Sequence, residues 1–325
     1  MNLIVEREKG PLQELENRIA ALRERGPAVP ASDVQLLEEK YHELLWDLFG
    51  KLSPWERVNM ARHPKRPIGT DYIAALDQFE ELHGDRHFRD DPALSGGLAK
   101  LRGRRVMVLA QQKGRDTKEN IARNFGMVSP EGYRKGRRLM ELAERFRLPI
   151  VTFVDTSGAD PGIASEEHAQ AEAIASCLMT LTKVGVPVVA TVIGEGGSGG
   201  ALAIALADTV LMAENSVYSV ASPEGCAAIL WGDAARAPEA AERLRLTSED
   251  LLGFGIVDRV IPEPLGGAHR DAAAFVGRVL DAVEEELSAL DGRTSDELRD
   301  ARYAKFRRIG AWEHGAAALV ASAIP

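Results

Sequence analysis

Two short and almost uninterrupted apolar runs constrain the fold of this chain more than any other feature. Residues 149–156 read PIVTFVDT and residues 187–194 read PVVATVIG, with hardly any alternation of polar and apolar positions. Strands that are buried on both faces have this pattern, and such strands occur in parallel sheets covered by helices. Helical sequence lies between the two runs, so the chain predicts a parallel β–α–β arrangement.

Shorter patterns add elements on both sides of these runs. Ser129 followed by Pro130 is typical of a helix start, and Ser165 with the acids that follow it predicts another. Residues 62–67 contain two prolines and predict an extended linker. Strands are predicted at residues 105–110, 209–212 and 256–261, a small-residue helix at 201–207, and amphipathic helices at 11–22 (stopped by Gly26-Pro27), at 32–48 with Ser32 as cap, at 275–287 and at 298–309. We therefore expect an N-terminal helical extension and linker (1–67), a core (68–265) and a C-terminal helical region (266–325).

Composition excludes several classes of protein. The 325 residues are 45% hydrophobic and 27% charged, which is an ordinary globular balance. A net charge of −9 argues against nucleic acid or an acidic membrane surface as partner. The first eight residues are too polar for a signal peptide, and no run approaches the roughly 18 apolar residues of a spanning helix. The two cysteines have no CxxC partner, so we expect a soluble cytoplasmic protein without a metal site of its own.

Residues 194–200, GEGGSGG, form the most informative segment, and we call them the glycine segment. It follows an apolar run, opens a helix of small residues, and contains five glycines in seven positions. Glycine lets a ligand approach the backbone closely, and the free N–H groups at a helix start favour negative charge. The segment therefore predicts an anion or oxyanion site made by the backbone.

The same segment fits three other interpretations. Gly194-x-Gly196-x-x-Gly199 matches a dinucleotide fingerprint, and Glu214 lies near the expected acid position. A purely structural role, close packing of a helix on a strand, would also use glycine.

The third interpretation is a serine hydrolase. Gly196-x-Ser198-x-Gly200 matches a nucleophile elbow, and Asp258 and His269 follow in the chain order of a catalytic triad. A hydrolase would need the Ser198 hydroxyl, whereas an oxyanion site would need only the backbone.

A second turn, Asp155 to Gly162 (DTSGADPG), ends the preceding strand. The carboxyl ends of neighbouring parallel strands meet in one crevice, so both turns are expected to face one ligand. Asp155 is either catalytic or caps the turn, and the capping role is favoured.

Several long stretches resemble one family in the correct order. The sequences Gln112–Lys135, Gly194–Ala205, Tyr218–Trp231 and Ile261–Arg270, together with Ala61–Pro67 and Gly84–Ala99, look like the alpha subunit of acetyl-CoA carboxylase carboxyltransferase. The resemblance covers nearly the whole chain. One departure lies in the second turn, where the family usually has Pro and Tyr in place of Ser157 and Asp160, which makes the turn less rigid and more acidic.

The resemblance implies an α/β fold of the crotonase (ClpP-like) type, a superhelix of ββα units with helical N-terminal and C-terminal extensions. It implies transfer of a carboxyl group from biotin, held on a separate carrier protein, to acetyl-CoA, which gives malonyl-CoA for fatty acid biosynthesis. It also implies a complex of two alpha and two beta subunits. The zinc and the acetyl-CoA site belong to the beta subunit, and ATP is used only by the separate biotin carboxylase.

The resemblance also assigns roles to residues. The backbone of Gly199 and Gly200 is expected to form the catalytic oxyanion hole for biotin. Lys113 and Arg115 are anion-binding candidates or part of a surface loop. The substrate-binding residues are expected to be Gly196, Gly197, Ser198, Thr156, Ser157, Gly158, Lys113 and Arg115. A stand-alone crotonase-type hydratase or isomerase would need a pair of carboxylates at the acyl site, and a scaffold without activity would not need the glycine segment.

Overall fold

An eight-stranded mixed sheet forms the centre of the protein in the computed structural model, which describes residues 2–25 and 30–310. The strands are β1 (Gln78–Glu81), β2 (Leu94–Leu101), β3 (Arg104–Gln111), β4 (Ile150–Thr156), β5 (Val188–Gly197), β6 (Thr209–Ala213), β7 (Val217–Ser219) and β8 (Arg259–Ile261). Their order is β1-β2-β3-β4-β5-β6-β8, and β7 pairs with the end of β5. Strands β1 to β3 are antiparallel, and the pairs from β3 to β8 are parallel.

The described residues also form α-helices, some of which cover the two faces of the sheet. They are α1 (Leu3–Glu8), α2 (Pro11–Glu24), α3 (Ala31–Phe49), α4 (Pro54–Ala61), α5 (Gly69–Ala74), α6 (Thr117–Ala122), α7 (Pro130–Phe146), α8 (Ile163–Glu167), α9 (Gln170–Lys183), α10 (Ser198–Ala205), α11 (Pro223–Trp231), α12 (Ala237–Leu244), α13 (Ser248–Gly253), α14 (Ala272–Ala289) and α15 (Ser295–Arg307). Helices α7, α9 and α10 pack on one face, and α5 and α14 pack on the other. The expected stop at Gly26-Pro27 and the expected C-terminal helical residues 311–325 lie outside the described residues.

The two apolar runs are buried on both faces, as their pattern predicts. Ile150 and Val154 of β4 belong to the core under α7, α9 and α10, whereas Val151 and Phe153 belong to the core under α14. Every residue of β4 is buried. Because each face carries its own helical layer, no position in these strands needs to be polar.

Four local predictions need correction, and the first is Ser32, which lies inside α3 and does not cap it, because the helix begins at Ala31. Strand β5 continues to Gly197, so four of the seven residues of the glycine segment are strand rather than loop. Ser165 does not cap a helix, because α8 begins after Gly162 and the Ser165 hydroxyl donates to Asp160. The Ser129 hydroxyl donates to buried Asp91, although Pro130 does begin α7.

The expected extended linker at residues 62–67 is also wrong, because His63, Arg66 and Pro67 are buried, while only Pro64 and Lys65 are exposed. The guanidinium of Arg66 is buried and donates to both carboxylate oxygens of Glu263, at 2.5 and 3.0 Å, and to the carbonyl of Ile193 at 2.7 Å. A buried guanidinium is stable only when its donors are satisfied, as they are here. The segment therefore fastens the N-terminal helices to the sheet. Within residues 2–25 and 30–310, no helix is long and apolar enough to cross a membrane.

Candidate functional site

The site forms where β4 and β5 end side by side. The pairing of these strands shifts between Val154 and Thr156, which leaves Asp155 in an irregular position. The Asp155 carboxylate lies against Gly194, where a Cβ atom would collide with it, and accepts from the N–H of Glu195 at 2.9 Å. Asp155 thus ties the two strand ends together, which is a structural role but not the capping of its own turn that the sequence favoured.

The second turn packs directly on the glycine segment. A Cβ atom at Gly197 would overlap the Ser157 carbonyl, and one at Gly200 would lie 2.5 Å from the Ala159 nitrogen and 2.6 Å from the Gly158 carbonyl carbon. Both distances are shorter than real Cβ contacts. Glycine is therefore required at these two positions for close packing, and the expectation that the two turns share one crevice is supported by their contact.

Helix α10 begins at Ser198, immediately beside this turn. No side chain caps its start, and the first N–H groups of a helix have no partner within the helix. Ser198 itself has φ of 52°, a left-handed conformation that is uncommon outside glycine. The N–H groups of Gly199 and Gly200 lie in this first turn, with the positive end of the helix dipole.

An apolar cavity of about 390 Å³ opens at the start of α10. Ser198 and Gly199 form one wall. The other lining residues are Leu202, Tyr218, Ser219, Val220, Leu244, Arg245, Leu251, Phe254 and Ile256. We call this space the apolar cavity. A largely apolar pocket with a few backbone donors is the usual form of a small-molecule site.

A second space of about 320 Å³, which we call the charged cavity, lies on the other side of the turn. Its wall includes Lys113, whose Nζ lies 2.7 Å from an Asp155 oxygen and 2.8 Å from a Glu195 oxygen. Arg62 binds the second oxygen of Glu195 at 2.7 Å and reaches Glu224 at 2.5 Å. The charges form an alternating chain, so each cation of this chain already has carboxylate partners.

These pairs set the protonation states in the charged cavity. Burial alone would raise the pKa of Glu195, but Lys113 and Arg62 lower it to about 2. Burial alone would lower the pKa of Lys113, but Asp155 and Glu195 raise it above its usual value. Glu195 therefore stays ionised at neutral pH. A stand-alone hydratase or isomerase needs carboxylates that exchange protons, and the ion pair with Lys113 opposes this.

The remaining predicted residues lie around these two spaces. Thr156 uses its hydroxyl within the turn, where it donates to the Gly158 carbonyl at 2.6 Å. Ser157 and Arg115 line the charged cavity, and Arg115 pairs with Asp71. Gly196 is a strand residue paired with Tyr218. The substrate contacts expected of these residues and of Lys113 stay predictions.

The residues that depart from the family turn have local roles. Asp160 accepts from the Ser165 hydroxyl at 2.5 Å and from the Gly162 N–H at 3.1 Å. Its charge thus organises the start of α8. Ser157 contributes its carbonyl to the contact with Gly197, and any residue provides that group.

The structure does not assemble a serine triad around Ser198. His269 stacks on His63 with ring centroids 3.7 Å apart, and its Nε2 lies 2.7 Å from Glu8. Asp258 instead accepts from the Val210 N–H and pairs with Lys305. Neither residue lines the apolar cavity with Ser198, which leaves the hydroxyl without a base from this pair.

Glu8, His63 and His269 also have ligand atoms within 4.8 Å of one another. The Glu8 carboxylate already accepts from both histidines and from Arg270, at 3.1, 2.7 and 2.8 Å. A guanidinium competes with a metal ion for the same oxygen. The cluster is therefore best described as a set of polar contacts that holds α1 against the segment after β8.

Sequence reasoning missed Gln111, Tyr133 and the role of Glu195. Gln111 and Tyr133 are buried and donate to the Gly200 carbonyl, at 2.8 and 3.2 Å. A polar residue that ends a buried strand was the available signal for Gln111, and an acid inside the glycine segment was the signal for Glu195.

Comparisons with known proteins agree with this geometry. The family described as acetyl co-enzyme A carboxylase carboxyltransferase-like matches residues 4–310. The acetyl-coenzyme A carboxylase carboxyl transferase subunit alpha of Pseudomonas paraeruginosa is 52% identical over 305 residues, which are 93% of this chain and 96% of that protein. The subunit of the same name from Thermus thermophilus is 51% identical over 306 residues, covering 93% of this chain and 97% of that protein.

Solved structures with this fold include a Pseudomonas malonate decarboxylase hetero-tetramer in complex with coenzyme A. It has a TM-score of 0.55 and 19% identity, over 72% of this chain and 90% of that one. Transcarboxylase 12S has a TM-score of 0.51 and 22% identity, over 64% of this chain and 40% of that one. The fold is thus the crotonase-like α/β fold expected from the sequence. With its helix start, its second turn and these relatives taken together, the chain belongs to the alpha subunits of the acetyl-CoA carboxylase carboxyltransferase family.

Proposed function

We propose that this chain is the biotin-facing half of an acetyl-CoA carboxylase carboxyltransferase. Together with a beta subunit it would move the carboxyl group of carboxybiotin to acetyl-CoA and form malonyl-CoA. The observation that carries the proposal is the uncapped start of α10, packed against the second turn and open to the apolar cavity. Membership of the family supports the same reaction.

The chemistry requires donors for negative charge rather than a side-chain nucleophile. When bound, biotin supplies the carboxyl group and a ureido oxygen on which charge develops as the group leaves. The N–H groups of Gly199 and Gly200 would donate to that oxygen from fixed positions. Preorganised donors of this kind need no rearrangement during the reaction, and losing one typically costs on the order of 100- to 1,000-fold in rate.

The apolar cavity fits the rest of such a ligand. Leu202, Val220 and Phe254 would cover a bicyclic ring and exclude water from the helix start at Ser198 and Gly199. Excluding water strengthens these hydrogen bonds because the local dielectric constant falls. The charged cavity suits biotin less well, because its polar groups already bind one another.

The partners follow from the same proposal. We infer two alpha and two beta subunits with shared sites, biotin on a separate carrier protein, and ATP use by a separate biotin carboxylase. Zinc and the acetyl-CoA site would belong to the beta subunit. A cytoplasmic location, close to fatty acid biosynthesis, suits this assembly.

The decisive experiment measures the reverse reaction, malonyl-CoA decarboxylation with biocytin as acceptor, with and without a beta subunit. We expect no turnover by the isolated chain and robust turnover by the complex, since the reaction creates negative charge on two oxygens and the α10 start serves one. Robust biocytin-dependent turnover by the isolated chain would contradict the division of the site between two subunits.

A further inference from the structure

A buried glutamine connects the two turns that form the site. Gln111 is the last residue of β3, and none of it is exposed. Its side-chain carbonyl accepts from the Asp155 N–H at 3.1 Å, and its Nε2 donates to the Gly200 carbonyl at 2.8 Å. One amide group thus links the end of β4 to the first turn of α10.

The irregular strand end explains why this link is needed. Regular pairing between β3 and β4 ends at Ala110 and Phe153, so the Asp155 N–H lies beyond that ladder and has no backbone partner in it. A buried N–H without a partner is costly. The Gln111 side-chain oxygen accepts from the Asp155 N–H, and its Nε2 donates to the Gly200 carbonyl across the crevice. The geometry therefore requires both the acceptor and the donor of the amide.

Tyr133 supports the same carbonyl from α7. Its hydroxyl donates to the Gly200 carbonyl at 3.2 Å and lies 3.0 Å from the position of a Cβ atom at Gly200. Burial raises the pKa of Tyr133 well above its usual value, so the hydroxyl keeps its proton. Two buried donors therefore hold the residue whose N–H serves the site.

We propose that Gln111 is the main positioning residue of the oxyanion site, with Tyr133 as its second support. Neither touches the substrate. They fix the distance between the α10 start and the second turn, and thereby the direction of the Gly199 and Gly200 N–H groups. This inference rests on the proposed function, because it names what aligns the donors of that reaction.

The first test compares Gln111→Met with Thr152→Val in the complex with the beta subunit. Met keeps the volume of the side chain and removes both hydrogen bonds. Thr152 is the matched control, because its buried hydroxyl donates to the carbonyl of Ile204 at the other end of α10, at 2.8 Å. We expect kcat to fall roughly 10- to 100-fold for Gln111→Met, the scale of a misplaced group, with KM for biocytin nearly unchanged. Thr152→Val should keep kcat within about twofold of the wild type.

The second test uses Gln111→Glu and Tyr133→Phe. An ionised carboxylate would face the Gly200 carbonyl with an acceptor, whereas a protonated one restores the donor. The neutral Tyr133 hydroxyl shares the Gly200 carbonyl with this side chain, and Asp155, whose N–H it accepts from, carries a carboxylate that is paired with the Lys113 ammonium. We expect the kcat of Gln111→Glu, divided by that of the wild type, to rise as the pH falls. We expect the decrease in kcat to be smaller for Tyr133→Phe than for Gln111→Met.

Two results would overturn the inference. One is a Gln111→Met complex with the same kcat as Thr152→Val, and the other is a pH-independent ratio for Gln111→Glu. A wild-type complex without turnover would instead contradict the proposed function, so the two failures are distinguishable.

Discussion

The apolar cavity and the charged cavity lie on either side of the end of β5 and solve different problems. In the charged cavity, Glu195 binds both Lys113 and Arg62, and these side chains are largely buried. In the apolar cavity, Ser198 and Gly199 present the start of a helix to a wall that contains no carboxylate or histidine. Strand β5 supplies Glu195 to the charged cavity, and the chain then continues into Gly199, which lines the apolar cavity.

The difference shows which of the two cavities has polar groups that are free to bind a ligand. Full charges in the charged cavity are compensated within the chain, and they hold the strand ends in place. The partial charges at the α10 start are not compensated by any side-chain cap, so they remain available to an anionic group. We infer that the charged cavity stabilises the geometry and that the apolar cavity carries the chemistry.

Gly200→Val is the strongest test of the role assigned to the apolar cavity. We expect turnover to fall on the order of 100-fold or more. The reason is contact, because a Cβ atom at Gly200 would lie 2.5 Å from the Ala159 nitrogen and would push the α10 start away from the turn. The measurement is steady-state kinetics with varied biocytin and varied malonyl-CoA, together with gel filtration of the complex.

Gly277→Val is the matched control for this variant. Gly277 is also a helical glycine, but a Cβ atom there would meet nothing within 4 Å. Its turnover should stay close to that of the wild type. If Gly200→Val keeps its biocytin-dependent rate, or affects only the malonyl-CoA dependence, then the assignment of the α10 start to biotin is wrong.

Lys113→Met tests the structural role of the charged cavity. The Asp155 carboxylate would lose its cation and Glu195 would keep only Arg62, and breaking a buried pair typically costs about 3 kcal/mol or more. We expect the free energy of unfolding in urea to fall by about this amount, with a smaller effect on turnover than in Gly200→Val. Arg137→Ala removes an exposed pair with Glu141 and should change stability by less than about 1 kcal/mol. Wild-type stability with weakened malonyl-CoA binding would instead assign Lys113 to an anionic substrate.

The sequence predicted the strands and the helix start better than it predicted the contacts between distant segments. The parallel strands followed from the apolar runs at residues 149–156 and 187–194, because burial on both faces leaves a continuous apolar pattern. The helix start in the glycine segment was also predictable from local sequence, because a run of small residues follows the glycines. The requirement for glycine at Gly200 depends on Ala159, and no local pattern contains that contact.

The charged cavity could not be predicted from local sequence. Arg62, Lys113 and Glu195 come from three distant segments, and each alone looks like an ordinary surface charge. Their partners become visible only when β3, β4 and β5 lie side by side. The segment 62–67 was misjudged for the same reason, since burial of Arg66 depends on Glu263 far along the chain.

A pH titration of stability can sharpen the comparison further. Burial lowers the pKa of His269 below its usual 6.5, and nearby His63, which lines the charged cavity, lowers it as well, against an opposing effect of Glu8. In the unfolded chain His269 therefore becomes protonated near pH 6.5, whereas in the folded chain it is protonated only at lower pH. We expect stability to decrease as the pH falls below about 6.5, by at most about 1.4 kcal/mol per pH unit for one proton. His269→Gln keeps a donor for Glu8 without titrating, and equal slopes in the two proteins would contradict this origin.

Ser198→Ala should have the smallest effect, and it separates the backbone from the side chain in the apolar cavity. The hydroxyl has no base from Asp258 or His269, which are bound elsewhere, and alanine keeps the N–H groups of α10. We expect turnover within about threefold of the wild type, since an exposed substitution of this kind usually changes energies by about 0.5 kcal/mol. Ser198→Gly is the informative companion, because glycine adopts the φ of 52° without strain and should raise stability slightly at similar turnover. A loss of roughly 1,000-fold in Ser198→Ala, with folding and assembly intact, would make the hydroxyl the reactive group and would replace the oxyanion description of this cavity with that of a hydrolase.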